Sequence, residues 1–170
     1  MNTQFPGSRL LTKTLAASVA LALASTAAWA GTTATQTVTY EVTAINEIST
    51  SGNPGALIVN SATAGSAPTD ATDASTTWAV TTNETGAKIT AAIDTAMPAG
   101  TTLKVNLAAP TGASSLGAVT LGTVAVDAVT GITQLNESAK TVDYTLSATA
   151  AAGVVASASK TVTFTITGGV

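Results

Sequence analysis

The side chains that could do chemistry here are carboxylates, amines and hydroxyls, because the sequence contains no His and no Cys. That composition excludes Ser-His-Asp and Cys-His catalysis and metal sites built on imidazole or thiolate. The nine acidic residues lie mostly at predicted strand ends, and no motif joins them. A glycosidase-type pair of carboxylates stays open as a third hypothesis. We predict a protein that is not an enzyme, with no catalytic residue and no cofactor.

One acidic cluster has the residue types of a cation site. Asp70 and Asp73 lie in a segment of small residues, and carboxylate oxygens are ligands that Ca²⁺ prefers. The segment lacks the regularly spaced oxygens and the fixed Gly of an EF-hand loop. The sequence favours a solvated loop here, with Asp70 and Asp73 as the alternative metal candidates.

The N-terminus has the layout of a secretory signal peptide. Arg9 and Lys13 form a basic region, residues 15–24 are apolar, and Ala28-Trp29-Ala30 is a small-x-small cleavage pattern. The apolar run is shorter than the roughly 20 residues that a membrane-spanning helix needs. We predict cleavage after Ala30 and export of residues 31–170 as one domain, secreted or held at the cell surface, with no membrane span after cleavage.

The exported part is acidic and poor in charge. It holds four lysines and no arginine against nine acids, a net charge of −5. No basic patch is available to displace counterions from a phosphate backbone, so we predict no nucleic-acid partner. Without cysteine, the fold must be held by burial and hydrogen bonding alone.

Alternation of apolar and polar residues predicts short antiparallel strands along the whole exported part. The clearest runs are residues 36–44, 76–82, 88–94, 101–108, 141–148 and 160–167, with a shorter apolar run at 56–59. Loop signals separate them, and residues 83–86 have the composition of a hairpin connection. The last two runs could pair as neighbours or cross between sheets. We predict an all-β, immunoglobulin-like antiparallel β-sandwich of seven to nine strands.

Four aromatic residues follow the leader, one in each of four alternating runs: Tyr40, Trp78, Tyr144 and Phe164. We expect them to anchor the core. The alternative is an exposed aromatic platform for a carbohydrate, for which Trp78 is the candidate.

The composition favours self-association. The strand runs are rich in threonine and poor in charge and proline, so they lack the devices that usually blunt sheet edges. The first and last runs lie near the chain ends, where strand addition between subunits is easiest. We predict that the assembly strands carry Val38, Tyr40 and Val42 in the first run and Val162, Phe164 and Ile166 in the last.

The leader, the Thr/Ala-rich body and the closing runs 144–148 and 161–166 resemble bacterial fimbrial and spore-coat-type secreted β-sandwich subunits. The resemblance implies a structural subunit of a pilus-like filament, fimbria or cell-surface coat, with copies of itself and other surface proteins as partners. The chain departs from many such subunits in having no cysteine, and Gly168-Gly169-Val170 is not an aromatic ending. The alternative is a monomeric module that binds carbohydrate or a surface through loops 49–55, 61–75 or 110–117.

Overall fold

The computed structural model describes residues 32–169. The predicted signal peptide, residues 1–30, lies outside this range. The described residues fall into two units, with the boundary along the chain between Tyr40 and Glu41. Residues 32–40, in the first unit, contain no regular secondary structure, and the second unit holds all the described strands.

Nine strands follow one another along the second unit. They are β1 (Asn46–Thr50), β2 (Ala71–Thr82), β3 (Ala87–Ile93), β4 (Thr101–Leu107), β5 (Ser114–Ser115), β6 (Val119–Thr120), β7 (Val126–Ile132), β8 (Leu135–Ala148) and β9 (Val162–Thr167). The described helical structure is one 3₁₀ turn, Ala150–Ala152. The all-β class predicted from the alternation is confirmed.

The strands form two antiparallel sheets. The first has the order β1-β2-β8-β4-β6 and the second the order β5-β7-β3-β9. The long strands β2 and β8 pair along most of their length, with register irregularities between Asp73 and Thr76 and between Trp78 and Val80. All described pairings are antiparallel, as period-two patterning favours.

The core lies between the two sheets and is built from alternate residues of their strands. On β3 every second side chain is buried, from Ala87 to Ile93, and β4 repeats the pattern from Leu103 to Leu107. The largest fully buried side chains are Trp78, Ile89, Leu107, Ile132, Val105, Val129 and Val142. Burial of this kind stabilises by roughly 25 cal/mol for each Å² of apolar surface removed from water, so these residues hold the fold together.

Several local predictions differ from the structure. Residues 83–86 do not form a hairpin, because β2 belongs to the first sheet and β3 to the second. Residues 56–59 form no strand, and β2 begins at Ala71, within the segment predicted as a loop. β8 and β9 lie in different sheets, which settles the choice between pairing and crossing. A connection between sheets and a hairpin use the same turn residues, so composition does not separate them.

Candidate functional site

Strand β9 is an edge strand whose inward face is only half buried. It pairs with β3 on one side, and the described pairings give it no partner on the other. Its side chains alternate between half-buried Val162, Phe164 and Ile166 and exposed threonines. The three apolar side chains pack against the core, yet part of their surface stays in contact with solvent. The strand has no charge, proline or bulge to discourage another strand from pairing with it.

Strand β1 is the corresponding edge of the first sheet, and it lies close to β9. Its one half-buried apolar side chain, Ile48, packs against the core as the β9 side chains do. We call β1 and β9 the open edge, with Ile48, Val162, Phe164 and Ile166 as its apolar row. Two sheet edges with unpaired backbone groups therefore meet beside one partly covered apolar row.

The residues that lead into β1 are held by one asparagine side chain. The Asn83 Oδ1 atom accepts a hydrogen bond from the Ile45 backbone N–H at 2.7 Å, and Asn83 Nδ2 donates to the Thr43 carbonyl at 2.7 Å. The Asn83 backbone N–H also donates to the Ile45 carbonyl at 3.3 Å. Ile45 and Asn83 continue the register in which Asn46 faces Thr82. The side-chain amide of Asn83 thus acts as one more peptide group of β2, and we call this arrangement the exit clamp.

A second polar network joins the residues next to the exit clamp, Asn46, Thr82 and Glu84. Asn46 Nδ2 donates to Glu84 Oε2 at 2.9 Å, and the hydroxyl of buried Thr82 donates to Asn46 Oδ1 at 2.8 Å. The Glu84 backbone N–H donates to the same hydroxyl at 3.1 Å. A Cβ atom at Gly168 would overlap the end of the Glu84 side chain, so the chain passes close to Glu84 after β9. The start of β1 and the end of β9 therefore lie against the same connection.

The apolar side chains of the first alternating run are exposed. Val38 is 76% exposed, Tyr40 89% and Val42 77%. The structure assigns no strand to residues 36–45 and gives β1 only residues Asn46–Thr50, where the sequence predicted a strand from residue 36. Tyr40 is consequently not the core anchor that its alternating run predicted. We call Val38, Tyr40 and Val42 the apolar stripe. Its apolar residues alternate with polar ones as in a strand, but the segment belongs to no described sheet.

The other aromatic residues occupy the core or its margin. Trp78 is 1% exposed and Tyr144 6%, whereas Phe164 belongs to the apolar row of the open edge. Burial raises the pKa of the Tyr144 hydroxyl. The Trp78 indole N–H has no hydrogen-bond partner in the structure. The structure therefore places Trp78 in the core.

The two metal candidates lie at the start of β2. Asp70 is exposed, whereas Asp73 Oδ1 accepts hydrogen bonds from the Ser75 hydroxyl at 2.7 Å and the Ser75 backbone N–H at 3.1 Å. Those bonds, the one from the side chain first, lower the pKa of the Asp73 carboxyl. Within residues 32–169, no group of three or more acidic side chains is close enough to hold a metal ion. The Asp73 carboxylate is thus bonded within the register irregularity between Asp73 and Thr76.

Glu137 is the carboxylate with the most strongly altered ionisation. The Lys140 ammonium lies 2.5 Å from Glu137 Oε2, and the Thr111 backbone N–H donates to Oε1 at 2.9 Å. These contacts, with Lys140 first, lower the pKa of Glu137 from its ordinary 4.5 to about 2. The side chain ties the loop after β4 to β8, which is a structural task.

The comparisons with other proteins add no assignment. No family model matches the chain, and no similar curated protein or solved structure was found. Within the described residues, no helix is long and apolar enough to cross a membrane. The sequence does not single out Asn83 and Glu84 as functional residues, because their composition predicts a hairpin connection. Their signal was the position of Asn83 directly after a strand, where an amide side chain can extend the ladder.

Proposed function

We propose that this protein is an exported, non-enzymatic structural subunit that assembles with copies of itself into an extracellular filament or surface coat. The assembly forms by addition of a strand from one copy to the open edge of another. The resemblance to fimbrial and spore-coat-type subunits, and an immunoglobulin-like form of the sandwich, belong to the same proposal. The leader at residues 1–30 supports export, and the absence of His and Cys from the sequence supports a non-enzymatic role.

The observation that carries this proposal is a pair of incomplete surfaces in one chain. The open edge has unpaired strands and a half-buried apolar row, and the apolar stripe is an alternating segment with most of its surface in water. An extended segment that adds to a sheet edge gains backbone hydrogen bonds along its length and pockets for every second side chain. The open edge lacks a neighbouring strand, and the apolar stripe lacks a sheet to pair with.

The same two surfaces predict the symmetry of the assembly. The stripe and the open edge are different surfaces, so their contact is heterologous, and a heterologous contact that does not close into a ring continues as a filament. Residues 36–44 span about 30 Å when extended, and the six residues of β9 span about 20 Å. The segment is long enough to cover the whole strand.

The test is the size distribution of purified residues 31–170 by light scattering, with negative-stain imaging of any large fraction. We expect filaments or sheets above a threshold concentration. Tyr40→Asp should raise that threshold about tenfold or more, because burying a large apolar side chain stabilises by roughly 1.5–3 kcal/mol.

The matched control is Thr39→Asp, which adds the same charge to the other face of the segment. It should shift the threshold about threefold or less, as surface substitutions usually change free energies by under about 0.5 kcal/mol. A wild-type protein that remains monomeric on concentration would contradict the proposal. That result would favour the monomeric binding module, which would then be tested with glycans and Ca²⁺.

A further inference from the structure

We propose that the Asn83 side chain makes assembly intermolecular: it fixes the direction in which residues 36–42 leave the domain, so that the apolar stripe covers the open edge of a second copy and not its own. This inference rests on the proposed function, because it needs strand addition to occur. It goes further by assigning a positioning role to one residue and by naming the occupant of the open edge as residues 36–44 of another copy.

The first step of the argument is the geometry of the exit clamp. Thr43 and Ile45 are hydrogen-bonded to the nitrogen and oxygen of one side-chain amide, which ties residues 43–45 to the end of β2. Their pairing with Asn83 continues the β1–β2 register without a shift. The pairing of Ile45 with Asn83 thus continues the β1–β2 ladder by one residue pair beyond Asn46 and Thr82.

The second step is the direction of β1 relative to β9. Asn46, at the start of β1, and Gly168, just after β9, both lie against Glu84. The start of β1 is therefore at the same end of the sandwich as the end of β9. A chain that continues β1 backwards through residue 43 points away from the apolar row of its own copy.

The third step is the number of residues available for a return. Reversing the chain takes a turn of about four residues. Directly before the clamp, those residues are 39–42, so a return would use Tyr40 and Val42 in the turn itself. Their alternation with Val38 would be lost, and only the residues before 39 could reach the strand. The full stripe can lie on β9 only when β9 belongs to another molecule.

The charges near the surfaces do not oppose this contact. In the added strand, the apolar stripe would lie beside the apolar row on the inward face of the sheet, and both hold only apolar side chains. Glu41 lies on the opposite face of the segment, and the opposite face of β9 holds threonines. Strand β9 itself therefore carries no charge that would oppose Glu41.

The experiment uses the absence of cysteine from the chain, so that the introduced thiols are the only ones present. Tyr40→Cys is combined in residues 31–170 with Val162→Cys, Phe164→Cys or Ile166→Cys, and the protein is oxidised and run unfolded without reductant. Three acceptor positions cover the possible registers and guard against one variant that folds poorly. We expect a ladder of linked dimers and higher species from at least one pair. Thr39→Cys with the same acceptors should give at least about fivefold less.

The role of Asn83 is tested in the double-cysteine protein that gives the strongest ladder. Asn83→Ala should convert at least half of the ladder into an internally linked monomer that migrates faster. Asn83→Asp keeps the acceptor for Ile45 but not the donor to Thr43, and should have an intermediate effect. Asn136→Ala on β8 is the control and should leave the ladder unchanged. Hydrogen exchange at Ile45 in the monomer should speed up about tenfold or more in Asn83→Ala.

Each outcome has one meaning. An internally linked monomer as the main product with Asn83 intact would overturn the inference. So would a ladder that Asn83→Ala leaves unchanged while exchange at Ile45 speeds up. Large assemblies by light scattering without any link from position 40 to β9 would leave the proposed function standing and refute this inference. A wild-type chain that never assembles would refute both.

Discussion

The two sides of the sandwich end in opposite ways. On one side, β5 and β6 are only two residues long, and the chain beyond β6 crosses between the sheets, where the Ile93 N–H donates to the Gly122 carbonyl at 2.9 Å. Leu121 there is buried. We call this side the closed edge. On the other side, β1 and β9 present longer strands and a half-buried apolar row.

The difference shows that the open edge is not a general weakness of this fold. The same chain ends one pair of sheet edges with very short strands, which are a common device against edge pairing. It does not apply this device to β9, which has six residues and no charge. An unprotected edge on one side of a sandwich whose other side is protected is consistent with use in assembly.

The largest expected effect on stability lies at the closed edge. Leu121→Ala removes a buried side chain and leaves a cavity, so we expect the free energy of unfolding to fall by about 2–5 kcal/mol. Urea denaturation measures the loss. Assembly of the remaining folded protein should be unchanged, and a raised assembly threshold at equal folded concentration would contradict the division between the two edges.

The open edge should respond in the opposite way. Phe164→Lys places a charge in a half-buried position, where a lysine can extend toward water, so we expect a loss of only about 1 kcal/mol in the monomer. Assembly should be abolished, because the added strand would bury that charge. Light scattering and urea denaturation separate the two effects. Thr165→Lys, on the other face of β9, is the control and should still assemble.

Acid should act on the link that holds the loop before β5. The pKa of Glu137 is about 2 in the folded protein and ordinarily 4.5, so the folded state favours the ionised carboxylate. Its contribution to stability is present above about pH 4.5 and is lost as the pH falls toward 2. Melting temperatures of wild type and Glu137→Gln should differ at pH 7 and converge by pH 2. A constant difference across that range would contradict the assignment.

The smallest expected effect concerns the surface ion pair between β3 and β7. Lys88 Nζ lies 3.0 Å from Asp127 Oδ1, and each of the two side chains is 43% exposed. Exposed pairs of this kind contribute about 0–1 kcal/mol. Lys88→Met should therefore change neither the urea midpoint nor the assembly threshold appreciably. A large change in assembly would mean that the face of the second sheet, rather than its edge, takes part in the contact.

The fold class could be predicted from the sequence, because the alternation of apolar and polar residues indicates which face of a strand is buried. The runs around Ile89, Val105 and Val142 all became strands with inward apolar residues. The sheet to which each strand belongs could not be read, since the residues after β2 suit a hairpin as well as a crossing. β5 and β6 are too short to carry a periodic signal.

Of the candidate site, the sequence predicted the apolar residues of the stripe and of β9, but not the polar residues of the exit clamp. Alternation singled out both Tyr40 and Phe164, but it cannot distinguish a strand that is paired within its own chain from one that is not. Asn83 was missed because its role depends on a contact with Thr43 and Ile45, some 40 positions earlier in the chain. Polar clamps between distant segments leave no periodic trace in a sequence.

The most direct test of the central claim is hydrogen exchange followed by mass spectrometry on the monomer and on the assembled protein. We predict that residues 36–44 and strand β9 become protected on assembly by about tenfold or more, as backbone groups that were free enter a ladder. Strands β5 and β6 should exchange at the same rate in both states. Protection at β5 and β6 with no change at β9 would contradict the account.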